Sequence, residues 1–204
     1  MKYRILFIAI LLISCSDNYI IQRASEDYFP LRTDDWWLYA SADDTILVEV
    51  EPLDTLLQVE CYPVSYNGVP RYLAKYDESI SRYIHLIYNY AGSDHTVLEN
   101  FVVRIELPLV KGNAYQYSLA DSINVASQTI SGYYEVTGLV VDYAYESEYG
   151  DVYELNITTI ESLITPDTSI VDTTDITEYY APGIGMIRFQ DTTGEYHLIE
   201  YSTP

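Results

Sequence analysis

Turn signals interrupt the chain every few residues from position 28 onward, and the runs between them show no helical period. Those runs are rich in Tyr, Val, Ile and Thr, side chains that fit a pleated, half-buried surface. "TLLQVECYPVSY" meets "VPRYLAKY" across Asn67-Gly68, a pair that readily takes the left-handed backbone of a two-residue hairpin. "RYIHLIYNY" meets "TVLENFVVRIEL" across Ala91-Gly92-Ser93-Asp94. "ISGYYEVTG" and "LVVDYAYES" run toward "DVYELNITTI" across Glu148-Tyr149-Gly150, and "GMIRFQ" meets "EYHLIEY" across Asp191-Thr192-Thr193-Gly194. Roughly ten strands joined by short connections predict an all-β fold with antiparallel neighbours. The expected form is a curved antiparallel meander sheet or open (half) β-barrel, with a β-sandwich as the alternative. Only residues 162–175, "SLITPDTSIVDTTD", read as a long polar loop. Its Asp167, Asp172 and Asp175 have neither the spacing nor the glycine of a calcium loop.

An internal repeat lies on top of this pattern. "FPLRTDDWWLY" at 29–39 aligns without a gap on "LPLVKGNAYQY" at 107–117, so that Pro30 meets Pro108, Leu31 meets Leu109, Asp35 meets Asn113, Trp37 meets Tyr115 and Tyr39 meets Tyr117. The physical reading is a proline-restrained lead-in, a turn, and a strand whose alternate aromatics share one face. The copies are too far apart for a solenoid and fit two similar halves of one sheet.

The N-terminus has a different character. Lys2 and Arg4 precede an unbroken apolar run from Ile5 to Ile13, the layout of an export signal. A spanning helix needs about 20 apolar residues, more than this run supplies. Leu12-Ile13-Ser14-Cys15 resembles the lipobox of bacterial lipoproteins; an ordinary secretory signal with an incidental cysteine is the alternative. The resemblance implies a diacylglyceryl group on the Cys15 thiol, cleavage ahead of it and acylation of the new amine. Stable anchoring takes more than one acyl chain, which that modification supplies. The expected layout is a cleaved signal at 1–14, a tether at 15–27 and a single all-β domain at 28–204, with the repeat allowing halves at 28–104 and 105–204. Ser16-Asp17-Asn18 places no aspartate directly after Cys15. By the lipoprotein sorting rule this favours an anchor in the outer membrane of the cell envelope, with the periplasmic or surface face left open.

"YFPLRTDDWWLY" and "EYYAPGIGMIRFQ" further resemble the "YFPL…G-N-x-W-x-Y" and "Y-A-P-G-V-G" motifs of a loose set of bacterial envelope lipoproteins. That set implies a periplasmic or surface β-domain and brings no catalytic residues with it. Asp34-Asp35 departs from the usual Gly-Asn, and Tyr115 replaces a tryptophan. Gly183-x-Gly185 lies between strand-like flanks and reads as a backbone bend rather than a phosphate loop, which would need a following helix.

Once Lys2 and Arg4 are removed, eight cationic residues face 31 acidic ones. Nucleic acid and anionic head groups are poor partners for such a field. With Cys15 acylated, Cys61 has no partner for an internal disulfide and reads as a buried packing residue. His85, His95 and His197 lack ligand spacing, and none of the common hydrolase, zinc or redox motifs occurs. No cofactor, metal or catalytic residue is expected. The chain holds 23 tyrosines, and Tyr88 with Tyr90, Tyr115 with Tyr117, and Tyr143 with Tyr145 are spaced so that each pair shares a strand face. Those six are the candidate ligand-binding residues, as an aromatic face for a glycan or an apolar molecule, against a plain reading of β-propensity and half-burial.

The expected function is a non-catalytic binding or structural module, held to the membrane through Cys15 and engaging a glycan, lipid or envelope protein. The alternatives are a carrier or chaperone holding a hydrophobic ligand in a half-barrel, and a hydrolase. An empty apolar lumen favours the carrier and a lumen packed by side chains opposes it. Cys15→Ala is expected to abolish metabolic labelling with palmitate and release the protein from the membrane fraction; unchanged membrane retention overturns the lipobox reading.

Overall fold

The computed structural model describes residues 27–203, so Cys15, the signal and all but the last residue of the tether lie outside the described residues. Thirteen strands follow: β1 (Trp36–Ala40), β2 (Thr45–Val50), β3 (Asp54–Leu56), β4 (Val59–Tyr66), β5 (Val69–Tyr76), β6 (Ser79–Tyr90), β7 (Ser93–Glu106), β8 (Ala114–Val125), β9 (Gln128–Glu146), β10 (Gly150–Ile164), β11 (Ser169–Ala181), β12 (Gly185–Asp191) and β13 (Gly194–Ser202). No helix occurs among the described residues. The main path of the sheet runs β7-β6-β5-β4-β2-β1-β13-β12-β11-β10-β9-β8, and β3 pairs with β4 beside it. Every ladder is antiparallel. The last strands of the order, β7 and β8, lie side by side without ladder hydrogen bonds, so the sheet is nearly closed into a barrel with one seam. The curved meander expected from the turn pattern is the fold, and the sandwich is set aside.

Tight turns make the meander possible. Leu57-Gln58, Asn67-Gly68, Ala91-Gly92 and Ala126-Ser127 each place two successive residues at positive φ, the geometry that matches strand twist. Asn67-Gly68 and Ala91-Gly92 announce themselves by composition, although Ser93 and Asp94 belong to β7 rather than to the turn. Leu57-Gln58 and Ala126-Ser127 do not, because the ladders on either side impose a conformation these residues disfavour by about 1–2 kcal/mol each.

Two expectations are corrected. Residues 162–175 are not a loop: β10 and β11 pair from Thr158↔Asp175 out to Ile164↔Ser169. Here β12 has ended and Ser169–Asp175 are exposed, so the strand lacks the one-sided burial that produces a readable alternation. "ISGYYEVTG" and "LVVDYAYES" are one 19-residue strand, β9, running straight through Gly138. The glycine does not end the strand because Tyr115 lies across it; an added Cβ would stand 2.1 Å from Tyr115 Cζ.

The two aligned segments make the same turn. Asp35 N donates to Arg32 O at 3.0 Å, and Asn113 N to Val110 O at 2.9 Å. Asp34 and Gly112 both have positive φ, 73° and 89°. Their N–H groups donate to Val50 O and Val140 O, whose own N–H groups donate back to Asp35 O and Asn113 O. Each turn is thereby stitched to the second strand of its half. In the strands that follow, Trp37 pairs with Val48 and Tyr115 with Gly138.

Inward-facing side chains fill the barrel. Tyr39, Tyr134, Leu155 and Ile157 are at most 1% exposed and belong to one large cluster. A smaller cluster of Val97, Val125 and Ile130 packs separately. The lead-in at 27–31 folds over one end: Asp27 O accepts from Gly183 N at 2.7 Å, Lys75 Nζ bonds the Asp27 carboxylate at 2.7 Å, Tyr28 stands edge-on to Tyr153, and Phe29 lies against Tyr180. At the seam, the Tyr115 hydroxyl donates to Arg104 O of β7 at 2.7 Å, reaching across the gap that no ladder spans.

Gly138→Ala is therefore expected to push the Tyr115 ring off β9 and destabilise the barrel by roughly 2–3 kcal/mol in urea unfolding. In a Tyr115→Ala background the same substitution should cost far less, because the clash is gone; additive losses would show that the ring does not depend on the missing Cβ.

Candidate functional site

Charged side chains enter the barrel where strand register sends them there. In the β6–β7 ladder Ile80 pairs with Ile105 and Ser81 with Val103, which leaves Arg104 as an extra residue in a β-bulge. A bulge of this kind re-aims a side chain. Arg104 crosses the interior to β11 and grips Glu178 with both terminal nitrogens, Nη1 to Oε2 at 2.9 Å and Nη2 to Oε1 at 2.7 Å. The Tyr180 hydroxyl donates a third hydrogen bond to Glu178 Oε2 at 2.7 Å. Burial pushes Glu178 toward its neutral form, but the charge and hydrogen bonds of Arg104 and the bond from Tyr180 prevail and hold its carboxyl below the usual value. Arg104 is likewise desolvated, and Glu178 holds its pKa well above the ordinary value. The pair is charged, matched and satisfied, which a buried pair must be to persist.

Arg82 is placed differently. It follows Ile80 and precedes Ile84 on β6, both 4% exposed or less, and the period of two turns its side chain to the same inward side. Its guanidinium has no hydrogen bond or ion pair among the described residues. Burial depresses its pKa, and the charges of Arg104 and Arg71 act the same way. Arg71, on β5, lies over the Tyr66 ring at 4.1 Å.

These groups border a cavity of about 70 Å³ that also touches Phe29, Leu31, Trp37 and Leu73. The lead-in covers it at the Lys75 end of β5. Toward the other end of that strand it meets a wider vestibule of about 300 Å³, bordered by Asn67, Val69 and Asp191. Tyr66, Arg71, Glu178 and Met186 line both spaces. Asp191 faces this mouth but is committed to its own turn, where its Oδ1 accepts from Thr193 N, Thr193 Oγ1 and Gly194 N.

The aromatic residues singled out from sequence lie elsewhere. Tyr88 and Tyr90 stack on each other at 6.3 Å on β6. Tyr115 is buried at the seam, and Tyr117 beside it is 37% exposed. Tyr143 packs against Tyr153 and donates to Asp151, whereas Tyr145 is 75% exposed. His85, His95 and His197 lie on β6, β7 and β13, and no set of metal-ligating side chains gathers among the described residues. Cys61 is fully buried and free, and burial pushes its thiol up, away from the reactive thiolate. The arginines had a signal that composition hides: Ile80-x-Arg82-x-Ile84, Val102-x-Arg104 and Glu178-x-Tyr180 put a charge in register with core residues.

No family model matches the chain, and no curated protein matches it. Two solved structures are similar over most of its length. One is a candidate lipoprotein from Parabacteroides distasonis ATCC 8503, 13% identical, covering 87% of this chain and 99% of that one with a TM-score of 0.42. The other is a candidate exported protein with a YmcC-like fold from Bacteroides fragilis NCTC 9343, 12% identical, covering 87% of this chain and 100% of that one with a TM-score of 0.40.

Glu178→Gln is expected to cost about 3–5 kcal/mol at neutral pH, because it strands the buried Arg104 charge. Replacing both partners, Arg104→Met with Glu178→Leu, should recover most of that loss. Since folding lowers the Glu178 pKa below 4.5, its contribution is present above that value and disappears as the pH falls through the folded pKa. Unfolding curves at pH 7 and pH 3 should show the Gln variant converging on the unaltered protein in acid; a constant gap refutes the ion-pair assignment.

Proposed function

We propose that this chain is a bacterial envelope lipoprotein, anchored in the outer membrane through Cys15, whose barrel serves as a non-catalytic binding module. The single observation that carries the binding role is the cavity at the inner end of the vestibule. It joins apolar walls to a few converging polar groups, the usual composition of a small-ligand site. The anchoring rests on the lipobox resemblance of Leu12-Ile13-Ser14-Cys15.

The packed interior weighs against the carrier reading. The cavity inside the vestibule holds only about 70 Å³, a small fraction of the roughly 300–1,000 Å³ of sites that engulf a drug-sized molecule. Tyrosines and aliphatic side chains occupy the volume an acyl chain would need. A hydrolase would require a nucleophile or a metal poised in the cleft. The cavity offers instead guanidinium groups and a carboxylate already held by three hydrogen bonds.

Density-gradient separation of envelopes from cells expressing the full chain should place it with the outer membrane; recovery in the inner membrane or the soluble fraction overturns the placement. Native mass spectrometry of the detergent-released protein should give the mass of the acylated polypeptide alone. A stoichiometric additional lipid would return the assignment to a carrier.

A further inference from the structure

The chain is strongly acidic, yet Arg71, Arg82 and Arg104 border one cavity together with a single carboxylate, Glu178. Both Glu178 oxygens are occupied by Arg104, and Tyr180 donates to one of them as well. Glu161 of β10 also bears electrostatically on Arg82 but forms no ion pair with it, and Tyr134 lies close by. Two guanidinium groups thus remain without a carboxylate partner, one of them turned inward among apolar residues. Arg82 is partly buried, so it gives up some of its water without gaining a carboxylate in return among the described residues.

We infer that Arg82 anchors a carboxylate-binding site: a small organic acid puts its carboxylate into the cavity, with Arg71 supporting it from the mouth, and its apolar arm lies in the vestibule. The inference rests on the proposed binding role and gives it a ligand class. A guanidinium presents a planar fork that matches a carboxylate in bidentate geometry. The cavity is sized for such a head group and little more. The arm then meets Tyr66, Met186 and Phe189 on its way out. Of the carboxylates at this mouth, Glu178 is neutralised by Arg104 and Asp191 is held by its own turn, so Arg71 and Arg82 are left to attract an anion in a chain that is otherwise strongly acidic.

The probe is benzoate, added to the full-length protein in neutral detergent, with benzamide as its uncharged counterpart and inorganic phosphate as an anion without an arm. Benzoate should raise the melting temperature and change tryptophan fluorescence saturably, because Trp37 borders the cavity. Benzamide should do neither, and phosphate should bind at least about tenfold more weakly than benzoate. Arg82→Met should weaken benzoate by at least about tenfold without lowering the melting temperature of the unliganded protein, since no carboxylate among the described residues is paired with it. A structural role for Arg82 predicts a lower melting temperature instead. Absence of saturable benzoate binding, equal binding of benzamide or phosphate, or undiminished affinity in Arg82→Met overturns the site. If the variant does not fold, the benzoate and benzamide comparison on the unaltered protein still decides. The gradient experiment reads anchoring alone, so its failure is separable from failure here.

Discussion

A sheet this wide has to dispose of its two outermost strands, whose unpaired N–H and C=O groups invite association with other chains. In this protein those strands, β7 and β8, are brought against each other, and side chains hold them where backbone ladders do not. Tyr115 lies flat on Gly138 and bonds Arg104 O, while Gly132 lets β9 approach Val97 and Leu98 of β7, with an added Cβ only 3.1 Å from Val97 Cγ1. Arg104 then reaches from the seam to Glu178 on the far wall. Closure and interior polarity are thus one problem, solved around a single bulged arginine.

The same arrangement explains why the charges inside differ in kind from those outside. Lys111 and Asp142 pair at 2.5 Å with both side chains more than half exposed, where water and salt screen the attraction. Arg104 and Glu178 meet where screening is weak, and their mutual hold is correspondingly firm. Arg82 lies beside them, partly buried, with no carboxylate bonded to it among the described residues. Its position is defined by the period of its strand, so it cannot turn outward without inverting the faces of β6.

How much of this was legible in the sequence follows the range of the interactions. Hairpins at Asn67-Gly68 and Asp191–Gly194 depend on residues a few positions apart, and the chain states them directly. The repeated turns at 32–35 and 110–113 were visible as an alignment, although their stitching to Val50 and Val140 was not. Gly138 misled because a glycine in a strand looks like a break until the ring above it is known. Arg104 and Glu178 lie 74 residues apart, and only the closed sheet brings them together. The tyrosine pairs were legible from their spacing alone, whereas the arginines in core register gained meaning only when the closed sheet set them around Glu178.

The path of the lead-in sets which end of the barrel is closed. Asp27 and Thr203 both bond to Gly183, so the described chain enters and leaves at one pole, and Phe29 and Leu31 stopper the cavity from that side. The vestibule lies at the other pole. The proposed anchor at Cys15 would join the barrel on the side that the lead-in closes, so the proposed ligand would enter from the pole opposite to the one where the described chain begins.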